Sequence, residues 1–293
     1  MDEHVATLRR FNRSFTQRIG VLDDSFLGCG RPLGPSRLLY EIGVDGVGVH
    51  ELRTRLGLDS GYVSRLLRQL ESEGLVTVAS DPDDGRRRTA RLTDNGLLER
   101  AVLDGRSEEL ARRIVAPLSA PHQAELSAAL DKADRLLRAA TTTFDVVDPA
   151  SGQAVWAMSQ YFEELDRRFP TGFDAGDSLV VDAPSMRAPG GTFVVANSDG
   201  DAVACGGVKS VDGATAEIKR MWVHPEMRGV GIGRRMLERL ERGAEELGYA
   251  RLVLDTNPTL LEAIAMYERA GYVAIERYND NPYAGHWFTK ALG

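Results

Sequence analysis

HPEMRGVGIGRRMLE, His224 to Glu238, decides how the second half of this chain is read. Gly229, Gly231 and Gly233 make a turn that runs into an amphipathic helical pattern carrying basic residues. A Walker loop ends in Gly-Lys-Ser/Thr, whereas this turn ends Gly233-Arg234-Arg235 and so lacks both lysine and hydroxyl. A dinucleotide loop needs G-x-G-x-x-G after the first strand, with an acidic residue about twenty positions on. What remains, Arg228-Gly229-Val230-Gly231-Ile232-Gly233, is a strand-to-helix turn. Its glycines permit close backbone approach, and its free amides at a helix N-terminus suit a pyrophosphate.

Around this turn helices and strands intermix. Gln153 to Arg168 and Leu260 to Ala270 read as helices. Thr192 to Ala196, Ala202 to Val208, Ala216 to Val223, Arg251 to Asp255, Tyr272 to Tyr278 and His286 to Lys290 read as strands. The pattern predicts a mixed α/β (α+β) sheet with helices on its faces. Upstream, TTTFDVVDPASG, Thr141 to Gly152, loses helical periodicity and holds Asp-Pro and Ser-Gly breakers, which puts a domain boundary at 147/148.

The turn is similar to the R/Q-x-x-G-x-G/A acetyl-coenzyme A motif of the GNAT N-acetyltransferases, and its surroundings agree. EIKRMWVHPEMRG, Glu217 to Gly229, resembles that superfamily's fourth strand and loop, and EAIAMYERAGY, Glu262 to Tyr272, its late helix. The resemblance spans roughly residues 148–293. It implies acetyl-coenzyme A as donor, held by Met221, Trp222 and Val223 and by Arg228, Gly229, Val230, Gly231, Ile232, Gly233 and Arg234. It also implies Glu217, eleven positions before the motif, as general base, and Tyr267 as the acid that protonates the departing thiolate. One departure is Leu260, three residues before Ala263, where many members carry asparagine.

The chemistry asks for the same residue types. An amine attacks only when neutral, so a substrate ammonium must lose a proton, directly or through water, to a carboxylate such as Glu217. Backbone N–H groups near Met221 to Val223 suit the oxyanion, and Tyr267 suits the leaving sulfur. Lys219 and Arg220 alternate faces by period two, and Arg220, with its planar fork, is the candidate for a substrate carboxylate. RYNDNPYAGHWF, Arg277 to Phe288, is either a recognition loop for a small amino compound or a hydrogen-bonded surface loop. Cys205 reads as a small core residue. The five histidines show no metal-ligand spacing, so no metal is expected.

The first half reads differently. His50 to Leu56 is a helix ended by Gly57, and Asp59 or Ser60 caps a second helix running through Glu73 to Gly74. Val63, Leu66, Leu67 and Leu70 form its buried stripe, leaving Ser60, Tyr62, Ser64, Arg65 and Arg68 exposed or flanking, as a major-groove reading helix requires. Leu75 to Ser80 and Arg88 to Leu92 then alternate around DPDDG as a β-hairpin. Arg86, Arg87 and Arg88 at its tip suit a minor groove or phosphates; a solvated run balanced by Asp81, Asp83 and Asp84 is the alternative.

Asp84-Gly85-Arg86, Leu92-Thr93, Gly96 and ESEGLV, Glu71 to Val76, resemble the MarR family of winged helix-turn-helix regulators over about residues 1–143. That implies a mainly α domain, a homodimer with interlocking first and last helices, and a pseudo-palindromic double-stranded DNA site. Candidate dimer helices are Val5 to Ile19, Asn95 to Val115 and Pro121 to Ala140. Ile114, Leu118, Leu126, Leu130, Leu136 and Leu137 add apolar surface too extensive for one small lobe to bury.

Composition agrees with two domains in 293 residues, 1–147 and 148–293. No apolar run approaches the roughly 18 residues of a membrane span. The charged N-terminus and two distant cysteines, Cys29 and Cys205, lead to the expectation of a cytoplasmic protein. Of the net charge of −7, little falls in residues 1–147, which hold 21 of the 36 basic and 22 of the 43 acidic residues. Local basic clusters there are free to act within a Debye length. The combined expectation is a DNA-binding regulator fused to an acetyl-coenzyme A-dependent N-acetyltransferase for a small amine or amino-acid-like molecule. Its rivals are a regulator that senses acetyl-coenzyme A or an amine without turnover, and a first half used for dimerisation alone.

Overall fold

The computed structural model describes residues 2–80, 88–174, 176 and 183–293. The chain divides into two compact units, Met1–Ser127 and Ala128–Gly293. This division lies upstream of the expected 147/148 boundary, because Ala139 packs into the second core and Thr143–Val146 is a strand of the second sheet. No helix among the described residues is long and apolar enough to cross a membrane.

In the first unit, α1 (Glu3–Arg18) and α2 (Leu33–Ile42) precede a two-residue strand, β1 (Val47–Gly48), and α3 (Val49–Leu56). Gly57, at φ +62°, ends α3 in the left-handed region that glycine enters without penalty. The Asp59 carboxylate then accepts from the Tyr62 amide at 2.9 Å and caps α4 (Ser60–Ser72). Val63, Leu66, Leu67 and Leu70 are buried with Leu38 and Leu39 of α2. The hairpin β2 (Val76–Ser80) and β3 (Arg88–Leu92) pairs Val76 with Leu92 through Ser80 with Arg88, and β1 adds a third strand that periodicity does not reveal. Thr93 caps α5 (Asp94–Val115), and a Cβ at Gly96 would lie 2.0 Å from the Leu75 carbonyl oxygen, so only glycine lets the helix start this close to β2. No residue of α1 is buried, and Val5, Leu8 and Phe11 are about half exposed.

Among the described residues, the second unit holds the end of α6 (Ala120–Thr141) and a seven-stranded sheet. Its strands are β4 (Thr143–Val146), β5 (Gly191–Ser198), β6 (Asp201–Ser210), β7 (Thr215–Val223), β8 (Arg251–Thr256), β9 (Val273–Ala274) and β10 (His286–Ala291). Their order is β4-β5-β6-β7-β8-β10-β9, antiparallel except for β7 with β8. Period two divides the sheet between its helices. Val194, Ala196 and Ala204 face α8 (Ile232–Glu246), while Phe193, Val195 and Cys205 face α7 (Gly152–Arg168). A third helix, α9 (Leu261–Arg269), contributes Tyr267 to the α8 side. The expected strand from Tyr272 to Tyr278 shortens to Val273–Ala274, since the chain beyond turns inward to bring Tyr278 and Asn279 to Glu217.

Two irregularities in β7 shape the surface beside it. Its pairing with β8 ends at Glu217 opposite Val253, so Ile218 to Val223 run on without a β8 partner. Its register with β6 shifts between Cys205 and Gly207, setting Arg220 and Met221 against Gly206 alone, and Arg220 sits at φ +58°. This is a β-bulge, which re-aims side chains locally.

Candidate functional site

Two cavities open where β7 and β8 part. The first, about 400 Å³, is lined by Arg228, Gly229, Gly231, Gly233 and Arg234 of the turn, Met221, Trp222 and Val223 of β7, and Glu164 and Arg168 of α7. Gly229 and Gly231 adopt φ of +77° and +88°, and a Cβ built on either meets nothing within 4 Å. Their Cα faces are therefore open, and the first-turn amides of α8 have no carbonyl partner within the helix. That is an opening suited to a phosphate, with the positive end of the helix dipole behind it.

The side chains of the motif divide by role. Ile232 is wholly buried in the core and Val230 packs against it, so each offers a ligand only its amide. Arg234 is exposed and pairs with Glu238 at 2.7 Å. Arg228 turns back onto the fold: Nε and Nη2 donate to the Val223 carbonyl at 3.0 and 2.9 Å, and Nη2 pairs with Glu164. Glu164 also accepts from the Trp222 indole at 2.9 Å and from Arg168 at 3.1 Å. Burial pushes its carboxyl upward, yet Arg228, Arg168 and Trp222 together hold it below the usual glutamate range. Arg168 reaches on to Glu262 and the Thr259 carbonyl, joining α7 to the start of α9. Neither Glu164 nor Arg168 is signalled by any motif; only their i,i+4 spacing on a helix marks them.

The second cavity, about 350 Å³, shares Tyr161, Leu165, Met221, Leu260, Ala263 and Tyr267 with the first. Tyr267 thus stands where the two meet, its hydroxyl 3.8 Å from the Met221 sulfur, and burial raises its pKa so that it keeps its proton at neutral pH. Leu260 lines both spaces. Lys219 and Arg220 line the second together, which corrects the expectation of opposite faces: the bulge at Arg220 breaks period two.

Glu217 is 4% exposed and stands behind the cavity wall, absent from the lining of either space. It accepts from Tyr278 at 2.7 Å and Asn279 at 3.2 Å, and pairs with Lys219 at 2.9 Å and Lys209 at 3.4 Å. Lys219 also pairs with Asp255, which accepts from Asn279 and Asn281. Burial pulls the Lys219 pKa down, but Glu217 and Asp255 outweigh it and the net shift is upward, so the ammonium persists. Tyr278, Asn279 and Asn281 come from the loop read as either recognition or surface; it supplies this network and, through Asn281 and Tyr283, part of the cavity. Cys205 is buried, which pushes its thiol pKa up and leaves it unreactive, in keeping with a core residue.

In the first unit, Ser60, Arg65 and Arg68 are exposed on α4. Tyr62 and Ser64 are half-buried; the Tyr62 ring packs toward Gly34, with the Arg65 guanidinium 5.7 Å from its centroid. Arg88 is exposed at the start of β3, while Arg86 and Arg87 lie outside the described residues.

Comparison with known proteins matches residues 158–272 to the acetyltransferase (GNAT) family and residues 30–87 to the MarR family. The chain is 37% identical over 117 residues to an IAA acetyltransferase of Azospirillum brasilense, covering 40% of this chain and 76% of that one. It is 38% identical over 129 residues to an uncharacterized N-acetyltransferase of Schizosaccharomyces pombe, covering 43% and 77%. An uncharacterized HTH-type transcriptional regulator of Bacillus subtilis is 41% identical over 59 residues, covering 20% and 35%.

Proposed function

The chain belongs to the GNAT acetyltransferase family and carries a MarR-family segment ahead of that domain, and from this premise we propose one protein with two activities. Residues 148–293 transfer acetyl from acetyl-coenzyme A to the amine of a small, amino-acid-like molecule, and residues 1–147 bind a pseudo-palindromic DNA site as a cytoplasmic homodimer. The observation that carries the enzymatic part is the open face of Gly229 and Gly231 beneath the α8 N-terminus, in a groove that meets a second cavity at Tyr267.

The residues present fit the donor. Amides from Gly229 to Arg234 would hold its diphosphate, with Arg228 keeping the turn in shape through Val223 and Glu164. Bound there, acetyl-coenzyme A supplies an activated acyl thioester. Among the backbone N–H groups of Met221 to Val223, those directed to the edge that β8 leaves unpaired suit a developing oxyanion. Tyr267, protonated at neutral pH, is in this proposal the acid that gives its proton to sulfur. Arg220 receives the acceptor's carboxylate. In this proposal the acceptor's proton reaches Glu217 through solvent, since the carboxylate stands behind Lys219.

Binding without turnover is the second reading, and the burial of Glu217 favours it. Free-thiol release across amines and amino acids decides between them: Glu217→Gln and Tyr267→Phe should each lower kcat about a hundredfold if the domain is catalytic. Donor binding with no release by the intact chain would leave sensing alone. For the first unit, exposed Ser60, Arg65, Arg68 and Arg88 support DNA reading, and the uncovered apolar residues of α1 support the dimer.

A further inference from the structure

The cavity beside Lys219 has two unlike walls. One carries charge: Lys209, Lys219 and Arg220 against Asp174 and Asp255, the latter already accepting from Lys219 and Asn281. The other is aromatic. The rings of Phe169, Phe173 and Tyr283 lie within 4.7 to 5.8 Å of one another, and all three line the space. The two walls are joined at Phe162, which stacks on Phe173 at 5.6 Å and carries the Arg220 guanidinium 4.8 Å from its ring centroid. A planar anion-binding fork is thereby anchored beside a ring cluster, while the shared residue Tyr267 marks the side toward the donor groove.

We propose that this cavity takes an α-amino acid with an aromatic side chain, its ring against Phe169, Phe173 and Tyr283, its carboxylate at Arg220 and its amino group toward Tyr267. The inference rests on the acetyl-transfer reading above and narrows its acceptor. Ring clusters favour an aromatic guest over an aliphatic one through edge and offset contacts. Arg220 brings to this wall a guanidinium, the group whose planar geometry matches a carboxylate. At about 350 Å³ the space is at the low end for ligand pockets and admits one small molecule. In the transfer the ammonium releases one proton to solvent, the neutral nitrogen bonds to the acyl carbon, and the adduct sheds a second proton from nitrogen to solvent as the carbon–sulfur bond breaks. Sulfur takes the Tyr267 proton, which solvent restores. The products are the N-acetyl amino acid, free thiol and one net proton.

The test uses the full chain with acetyl-coenzyme A, free-thiol detection, and L-phenylalanine, L-tryptophan, L-alanine, L-lysine and phenethylamine as acceptors. The aromatic amino acids should exceed L-alanine in kcat/KM by at least about tenfold, as burial of a large side chain allows. Phenethylamine, which lacks the carboxylate, should fall below L-phenylalanine by a similar factor. Phe173→Ala should bring the L-phenylalanine to L-alanine ratio toward one, and Arg220→Gln the L-phenylalanine to phenethylamine ratio; either variant suffices if the other does not fold. Preference for L-lysine or L-alanine overturns the inference and leaves acetyl transfer standing. If no acceptor releases thiol although coenzyme A binds, acetyl transfer fails, and calorimetry of L-phenylalanine into the chain decides the site. Uptake weakened by Phe173→Ala supports the aromatic amino-acid site; no uptake overturns it.

Discussion

Glu164 offers the sharpest stability test, because one carboxylate serves the Trp222 indole, Arg228 and Arg168 while only 9% of its side chain is exposed. Glu164→Ala leaves the buried indole N–H unpaired, a loss of about 1.5–3 kcal/mol for a hydrogen bond to a charged acceptor. The two guanidinium groups are about one-third exposed, so each ion pair adds at most about 1 kcal/mol. A total near 3 kcal/mol corresponds to a Tm fall of roughly 6–12 °C for a domain this size. All three tryptophans, Trp156, Trp222 and Trp287, lie in the second unit, so indole fluorescence during a thermal melt reports that unit. The pH dependence has a definite sign. A carboxyl whose folded pKa is depressed stabilises the fold above its unfolded pKa, about 4.3, and loses that contribution as pH falls through the folded value. The gap between the wild type and Glu164→Gln should therefore be full at pH 7 and close progressively below about pH 4. A Glu164→Ala melt within 1 °C of wild type at pH 7, or a gap that widens on acidification, would show that Glu164 does not stabilise the unit through these contacts.

Other outcomes depend on single residues. Iodoacetamide should label Cys29 in the native chain and both cysteines in urea, as mass spectrometry would show; native labelling of Cys205 would contradict its burial. Arg65→Ala should weaken operator binding and lower its salt slope by about one, measured by fluorescence anisotropy at several salt concentrations; an unchanged slope would argue for a first unit that only dimerises. Gly96→Ala should disrupt the first unit, since its Cβ would lie 2.0 Å from the Leu75 carbonyl oxygen, and far-UV circular dichroism should show lost helix while the tryptophan-reported melt stays.

Where apolar period met a capping signal, the fold was legible: Gly57 ends α3 and Asp59 starts α4, and the Gly229–Gly233 turn opens α8. Short edge strands were not. Thr143–Val146 hid among turn formers because an edge strand with one half-buried residue carries little apolar alternation. The site was legible as motif and opaque as network. Arg228 was recognisable, but its engagement with Glu164 and the Val223 carbonyl depends on α7 crossing β7, which no spacing encodes. Arg220 was named for its chemistry, yet its direction depends on one extra residue in β7 opposite Gly206. The aromatic wall joins Phe169 and Phe173 to Tyr283, more than a hundred positions away, and only the closed sheet brings them together.

On the proposed reading, the open backbone at Gly229 and Gly231 holds the diphosphate of the acetyl donor. Calorimetric titration of coenzyme A into the full chain and into Gly231→Ala tests this. One site per chain is expected in the wild type, with at least tenfold weaker binding in the variant, in which a methyl group occupies the turn. Absence of binding to the wild type, or equal affinity in both proteins, would contradict it.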